Sequence, residues 1–267
     1  MSIIIFLLIL SVLVIVHEAG HLFAAKSGGI RVDEFGLGFP PRIAKLFNWR
    51  GTDFFLNLLP FGGYVKIVGE NPVEGEELSG DSFGAKSRGR QIFVLLAGVL
   101  ANFLLAWVLF AVIQMIGIES QNGFLKRGFF ESIFYGLKNT IIFTGLTIQS
   151  LWDLLAGAIV GQADFSSVVG PVGLVGLVGT MSESGFVYVL YLMAHISISL
   201  AVINVVPIPA LDGGRVFIIL IEWIRGKKIS PNTFNMMNTV SFIFLILIMI
   251  LVTIRDVNDV MREFTYT

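Results

Sequence analysis

The chain has no cysteine, only three histidines, and charged side chains at just 14% of its 267 positions. Without thiols there is neither a disulfide nor a thiolate metal site, so a bound metal would need His, Asp, Glu or Asn. Soluble domains carry about 25% charged and about 45–50% apolar residues. Here 55% are hydrophobic. Eighteen basic residues face 19 acidic ones, a net charge of −1 that offers no field for nucleic acid.

The apolar excess is concentrated in runs such as Ile3–Val16, Phe93–Ile116 and Val240–Ile254. A soluble globule, a disordered chain and a disulfide scaffold are thereby excluded. An all-α polytopic membrane protein is expected. About 20 apolar residues cross a bilayer core. Spans are expected at 3–25, 92–118, 186–206 and 236–254. The first is not a signal peptide: no basic residue precedes it, and His17, Glu18 and His21 lie where a cleavage region would be. The weaker stretch 139–160 holds Gln149, Asp153 and Gly157. It is expected to lie along the surface or re-enter, since a charge within the bilayer costs about 2.5–3.5 kcal/mol. The alternative is a crossing paired with a return through 170–181.

Basic residues set the sides. Lys26, Lys86, Arg88 and Arg90 flank the first two spans, and Arg215, Arg225, Lys227 and Lys228 follow the third. Both regions are expected in the cytoplasm, which puts the N-terminus outside. Between the first two spans, Thr52–Val68 reads as a small β-hairpin region, with Gly62-Gly63 as its turn and Tyr64–Val68 as a strand. It either dips toward the membrane or forms a cytoplasmic sheet. The acidic segment Glu70–Asp81 reads as a surface loop.

His17-Glu18-Ala19-Gly20-His21 is an H-E-x-x-H motif. On a helix its histidines share one face and can hold zinc, with the intervening glutamate as acid/base. Ionisable groups inside a span are costly unless they pair or bind a metal. The plain alternative is pairing with another span. A catalytic zinc usually has three protein ligands. The third is Asp212 or His195. Chemistry favours Asp212, because Pro207 and Pro209 break the backbone just before it, and irregular backbone at membrane depth must line protein or a wet cavity. Asp212 could instead cap the following helix, and His195 could merely bond a neighbouring helix.

H-E-x-x-H in the first span and Asn204-x-x-Pro207-x-Pro209-x-Leu211-Asp212-Gly213 in a later one resemble the signature of the site-2 protease family of intramembrane zinc metalloproteases. Gly62-Gly63-Tyr64-Val65-Lys66 and Gly98–Phe103 are similar to its bacterial RseP/RasP/MmpA branch. The resemblance implies one zinc ion on His17, His21 and Asp212, with Glu18 as the catalytic residue. It implies that Gly62, Gly63, Tyr64 and Val65 belong to a membrane-dipping hairpin pairing with an unwound substrate. It implies substrate contacts at Asn204, Pro207 and Pro209. Asn102 matches a family asparagine, either supporting the site or making an interhelical hydrogen bond.

The expected substrates are single-pass membrane proteins such as anti-sigma factors or signal peptide remnants, with an upstream site-1-type protease as a further partner. The expected setting is a bacterial plasma membrane, with the site opening to the cytoplasm. Members of the branch carry a PDZ domain after the second span. Only about Glu119–Asn122 stands there, so a single membrane-embedded domain without PDZ is expected, with 128–160 as the amphipathic segment that follows. An ion transporter or a non-catalytic scaffold is the competing reading. Neither explains Glu18 between the histidines.

Overall fold

The computed structural model describes residues 1–71, 79–120, 123–162 and 168–266. The middle of the expected acidic surface loop, 72–78, lies outside them. Uninterrupted apolar sequence gives long helices: α1 (Ser2–Ser27), α2 (Arg88–Ile116), α3 (Phe129–Ile159), α5 (Phe186–Val205) and α7 (Pro231–Tyr266). Two shorter helices are α4 (Pro171–Ser184) and α6 (Asp212–Arg225). Among the described residues, five helices are long and apolar enough to cross a bilayer. Four coincide with the stretches read as spans. The fifth is α3, whose 31 residues also suit a crossing by length. Phe242, Phe244, Leu247 and Leu251 on α7 are more than half exposed, an apolar surface suited to lipid. The protein is a multi-pass membrane protein.

The chain forms two compact units. One comprises Leu7–Leu104 and Ile203–Phe242. Its core joins Leu22, Ala25, Val32, Phe35, Val94, Leu95 and Ile219. It contains the strands β1 (Val32–Trp49) and β2 (Thr52–Ile67). The hairpin departs from the sequence expectation. Its reversal is at Arg50-Gly51, with φ of 50° and 80°, because a two-residue hairpin turn needs positive φ at both central positions. The Asn48 side-chain oxygen accepts the Gly51 N–H at 3.2 Å. Gly62-Gly63 lies within β2, not at the hairpin's tight turn but at the bend by which β2 doubles back between Leu56 and Gly63, where Gly62 has φ +82°. Strand β1 lay entirely outside the expected hairpin.

Both strands bend and pair twice. Ala44–Trp49 run antiparallel to Thr52–Leu56, and Val32–Leu37 antiparallel to Gly63–Ile67. Glu34–Leu37 also pair with Asp53–Leu56, the numbers rising together. Gly63–Ile67 is thus an edge with one neighbour among the described residues. The Ser11 hydroxyl on α1 donates to the Pro60 carbonyl at the bend. Ser11 lies six residues, about 9 Å, before His17 on α1, so the bend reaches beyond the histidines toward the start of the helix. Leu58, Ile43 and Phe47 are more than half exposed there.

The other unit comprises Met1–Phe6, Leu105–Val202 and Ile243–Thr267. Ser132, Gly136 and Thr140, four apart on α3, form its buried stripe. A Cβ at Gly136 would meet the Ala111 nitrogen at 2.7 Å, so helix contact there requires glycine. After α2, Ile118–Ser120 (β3) and Gly123–Leu125 (β4) form a minimal antiparallel pair.

Candidate metal centre

The site belongs wholly to the unit that contains the hairpin. Regular helix through His17 and His21 puts both rings on one face of α1, and both are buried. Prolines 207 and 209 end α5 and leave a tight loop, in which Leu211 N donates to Ile208 O at 2.8 Å. A Cβ on Gly213 or Gly214 would strike the carbonyls of Val205 and Ile208. Only glycine lets α6 start that close to the loop. Leu211 is the N-cap and Asp212 opens the helix without a side-chain cap bond, so its carboxylate is not used for capping.

The carboxylate goes to the histidines instead. Asp212 Oδ2 lies 3.0 Å from His17 Nε2 and 3.4 Å from His21 Nε2. The two Nε2 atoms are 3.1 Å apart. His17, His21 and Asp212 are the metal-capable group among the described residues. His21 Nδ1–H donates to the Val94 carbonyl at 2.8 Å, which fixes the tautomer and turns the Nε2 lone pair into the site. The fully buried Asn102 amide lies 3.4 Å from His17 Nδ1. The atom facing the ring is the amide nitrogen; turned over, an orientation equal in shape, the amide would accept the His17 Nδ1–H as the Val94 carbonyl accepts that of His21. A Cβ on Gly98 would fall 2.5 Å from His21 Nε2 and 2.8 Å from His17 Nε2. Gly98 thus leaves the space the rings occupy.

His195 is placed differently. It stands among Phe110, Phe143 and Tyr191, with ring centroids 5.8, 4.2 and 4.6 Å away. Its Nε2 is buried and meets no hydrogen-bond partner among the described residues. A Cβ built on Gly63 would lie 3.9 Å from Glu18 Cγ, so the edge strand passes beside the motif's glutamate. Asn204 is the penultimate residue of α5, and Pro207 is exposed in the loop before α6.

The model of peptidase family M50 matches residues 5–248. The chain belongs to peptidase family M50. This M50 peptidase is 31% identical to a Clostridium perfringens relative that carries a zinc metalloprotease name, over 96% of the chain and 98% of the relative. It is 24% identical to the zinc metalloprotease RasP of Oceanobacillus iheyensis, over 96% of the chain and 99% of that protein. The first alignment runs over 336 positions against 267 residues here, so the relative carries residues without a counterpart in this chain. The M50 peptidase is an intramembrane zinc metalloprotease.

Its residues fit the ion. Zinc bonds of about 2.0–2.1 Å in a tetrahedron imply ligand–ligand edges of about 3.3 Å, and the three edges here are 3.0, 3.1 and 3.4 Å. Two imidazoles and one carboxylate leave the fourth position for a reactant. Nothing in the residue pattern signals that Gly98 shapes the site, or that the Val94 carbonyl orients His21. A backbone acceptor leaves no mark in residue identity.

Proposed function

We propose that His17, His21 and Asp212 hold the zinc ion and that Glu18 is the catalytic acid/base, cleaving peptide bonds within or near the transmembrane segments of single-pass membrane proteins. The convergence of three ligand atoms within 3.4 Å, from residues 195 positions apart, carries this reading. Zinc, when bound, supplies Lewis acidity toward a substrate carbonyl. Glu18 takes the proton given up by the attacking water and passes it to the leaving amine nitrogen. Asn102 and the Val94 carbonyl hold the imidazoles in register throughout.

A transmembrane helix hides its carbonyls in its own hydrogen bonds and must unwind before it can react. The free edge of Gly63–Ile67 offers an extended segment new backbone partners beside Glu18. Gly62, Gly63, Tyr64 and Val65 line that path, and Asn204, Pro207 and Pro209 hold the opposite side of the substrate. The flanking basic residues support a site opening to the cytoplasm of a bacterial plasma membrane. Lys26 lies about 13 Å along α1 from His17, the depth a cytoplasm-facing cavity must reach. Anti-sigma factors or signal peptide remnants suit this substrate class, with an upstream site-1-type protease trimming them first.

The test is Glu18→Gln in reconstituted membranes with a single-span substrate. Loss of cleavage with zinc retained supports the reading. Cleavage at the wild-type rate contradicts it and reopens the transporter and scaffold alternatives.

A further inference from the structure

Asp212 is useful only if α6 holds its carboxylate against two rings on another helix. The loop backbone packed on Gly213 and Gly214 restrains α6 from one direction. One helical turn after Asp212, Arg215 faces a different neighbour. Its Nη1 pairs with the Glu70 carboxylate, and its Nη2 donates to Asn71 Oδ1 at 2.5 Å. The side chains of Arg215 and Glu70 are only 17% and 18% exposed.

Glu70 is itself anchored. It lies three residues past the end of the edge strand, and its N–H donates to Ile67 O at 3.4 Å. Val68 is tied on both sides, its N–H donating to Arg31 O at 3.0 Å and its carbonyl accepting Phe83 N–H at 2.7 Å. Burial pushes the Glu70 carboxyl above its ordinary value, against the pull of Arg215. A surface pair exchanging with water would not carry that penalty. Behind the pair lies a cavity of about 110 Å³ that also reaches Glu222 and Lys228. Glu222 is already engaged, since its Oε1 accepts the Ile229 N–H at 2.7 Å. Lys228 Nζ donates to Gly84 O at 3.3 Å. Glu70 is therefore the carboxylate that meets Arg215.

We propose that Glu70 and Arg215 are positioning residues that clamp the start of α6 to the end of the edge strand and so hold Asp212 on the zinc ion. The inference rests on Asp212 being a ligand. A clamp of this kind touches neither substrate nor metal, so its loss lowers turnover and loosens the ion without removing a ligand.

The test uses the full chain in proteoliposomes with a single-span peptide substrate. Cleavage kinetics are read beside the rate at which a chelator strips zinc. Glu70→Gln is expected to lower kcat by about tenfold with KM within about twofold, and to speed zinc release by about tenfold. Arg215→Met is expected to do the same, and Arg215→Lys to recover part of the loss. The double variant Glu70→Gln/Arg215→Met is expected to be no more than about twofold worse than Arg215→Met alone, as for two halves of one contact. Losses that multiply, or wild-type zinc release in both single variants, overturn the clamp. Asp212→Ala runs alongside. Zinc lost there with Glu70→Gln unchanged removes the clamp and keeps the ligand. Zinc kept there removes the ligand reading and the clamp with it.

Discussion

The three histidines sit in helices of similar character and meet opposite surroundings. His21 has a fixed acceptor for Nδ1, His17 has an amide beside Nδ1, and both Nε2 atoms turn toward Asp212. His195 instead meets three aromatic rings, and its Nε2 lacks a partner among the described residues. A histidine becomes a metal ligand when one ring nitrogen is committed elsewhere and the other faces an anion. Aromatic contact satisfies the ring faces and leaves the nitrogens without a task. The pair converges with a carboxylate, while the third is packed as a flat, largely apolar side chain.

The sharpest way to break this contrast is to remove members of the His17–His21–Asp212 cluster. His17→Ala and Asp212→Ala are each expected to abolish zinc binding and to cut cleavage by about a thousandfold or more, read by metal analysis and peptide cleavage. Gly98→Ala comes next. Its methyl group would have to displace both imidazoles, and a loss of about a hundredfold in cleavage is expected, with the folded state retained by thermal melting. Asn102→Ala is milder, about 10–100-fold in zinc affinity, because the His17 ring keeps its place on α1 but loses its orienting partner. His195→Phe is the smallest. Cleavage within about threefold of wild type is expected, since one flat ring replaces another among Phe110, Phe143 and Tyr191. A loss as large as that of Asn102→Ala would erase the contrast.

Much of this was legible in sequence because membranes make polar residues conspicuous. His17, Glu18 and His21 in an apolar run, and Asp212 after a proline break, stand out by cost alone. The apolar runs also mark where four of the long helices lie, though α7 extends to Tyr266, well past the stretch read as a span. The hairpin was less so. Gly62-Gly63 reads as a turn by composition, and Gly62 does lie where β2 doubles back, but the tight two-residue turn between the strands is Arg50-Gly51, and Arg50 gives no sign of accepting φ of 50°. Strand β1 was missed because Gly36, Gly38, Pro40 and Pro41 weaken every propensity signal within it. The pairing of one bent strand on both its edges is a tertiary fact with no local signature. The ion pair of Arg215 with Glu70 joins residues 145 positions apart, and nothing in either residue's neighbourhood announces the other.

Zinc occupancy of purified Asp212→Ala and His195→Ala, compared side by side with X-ray absorption at the zinc edge, bears most directly on the ligand set. The wild type and His195→Ala should each hold one ion with two imidazoles and oxygen ligands at about 2.0–2.1 Å, and Asp212→Ala should hold almost none. Zinc kept by Asp212→Ala and lost by His195→Ala would contradict the site described above.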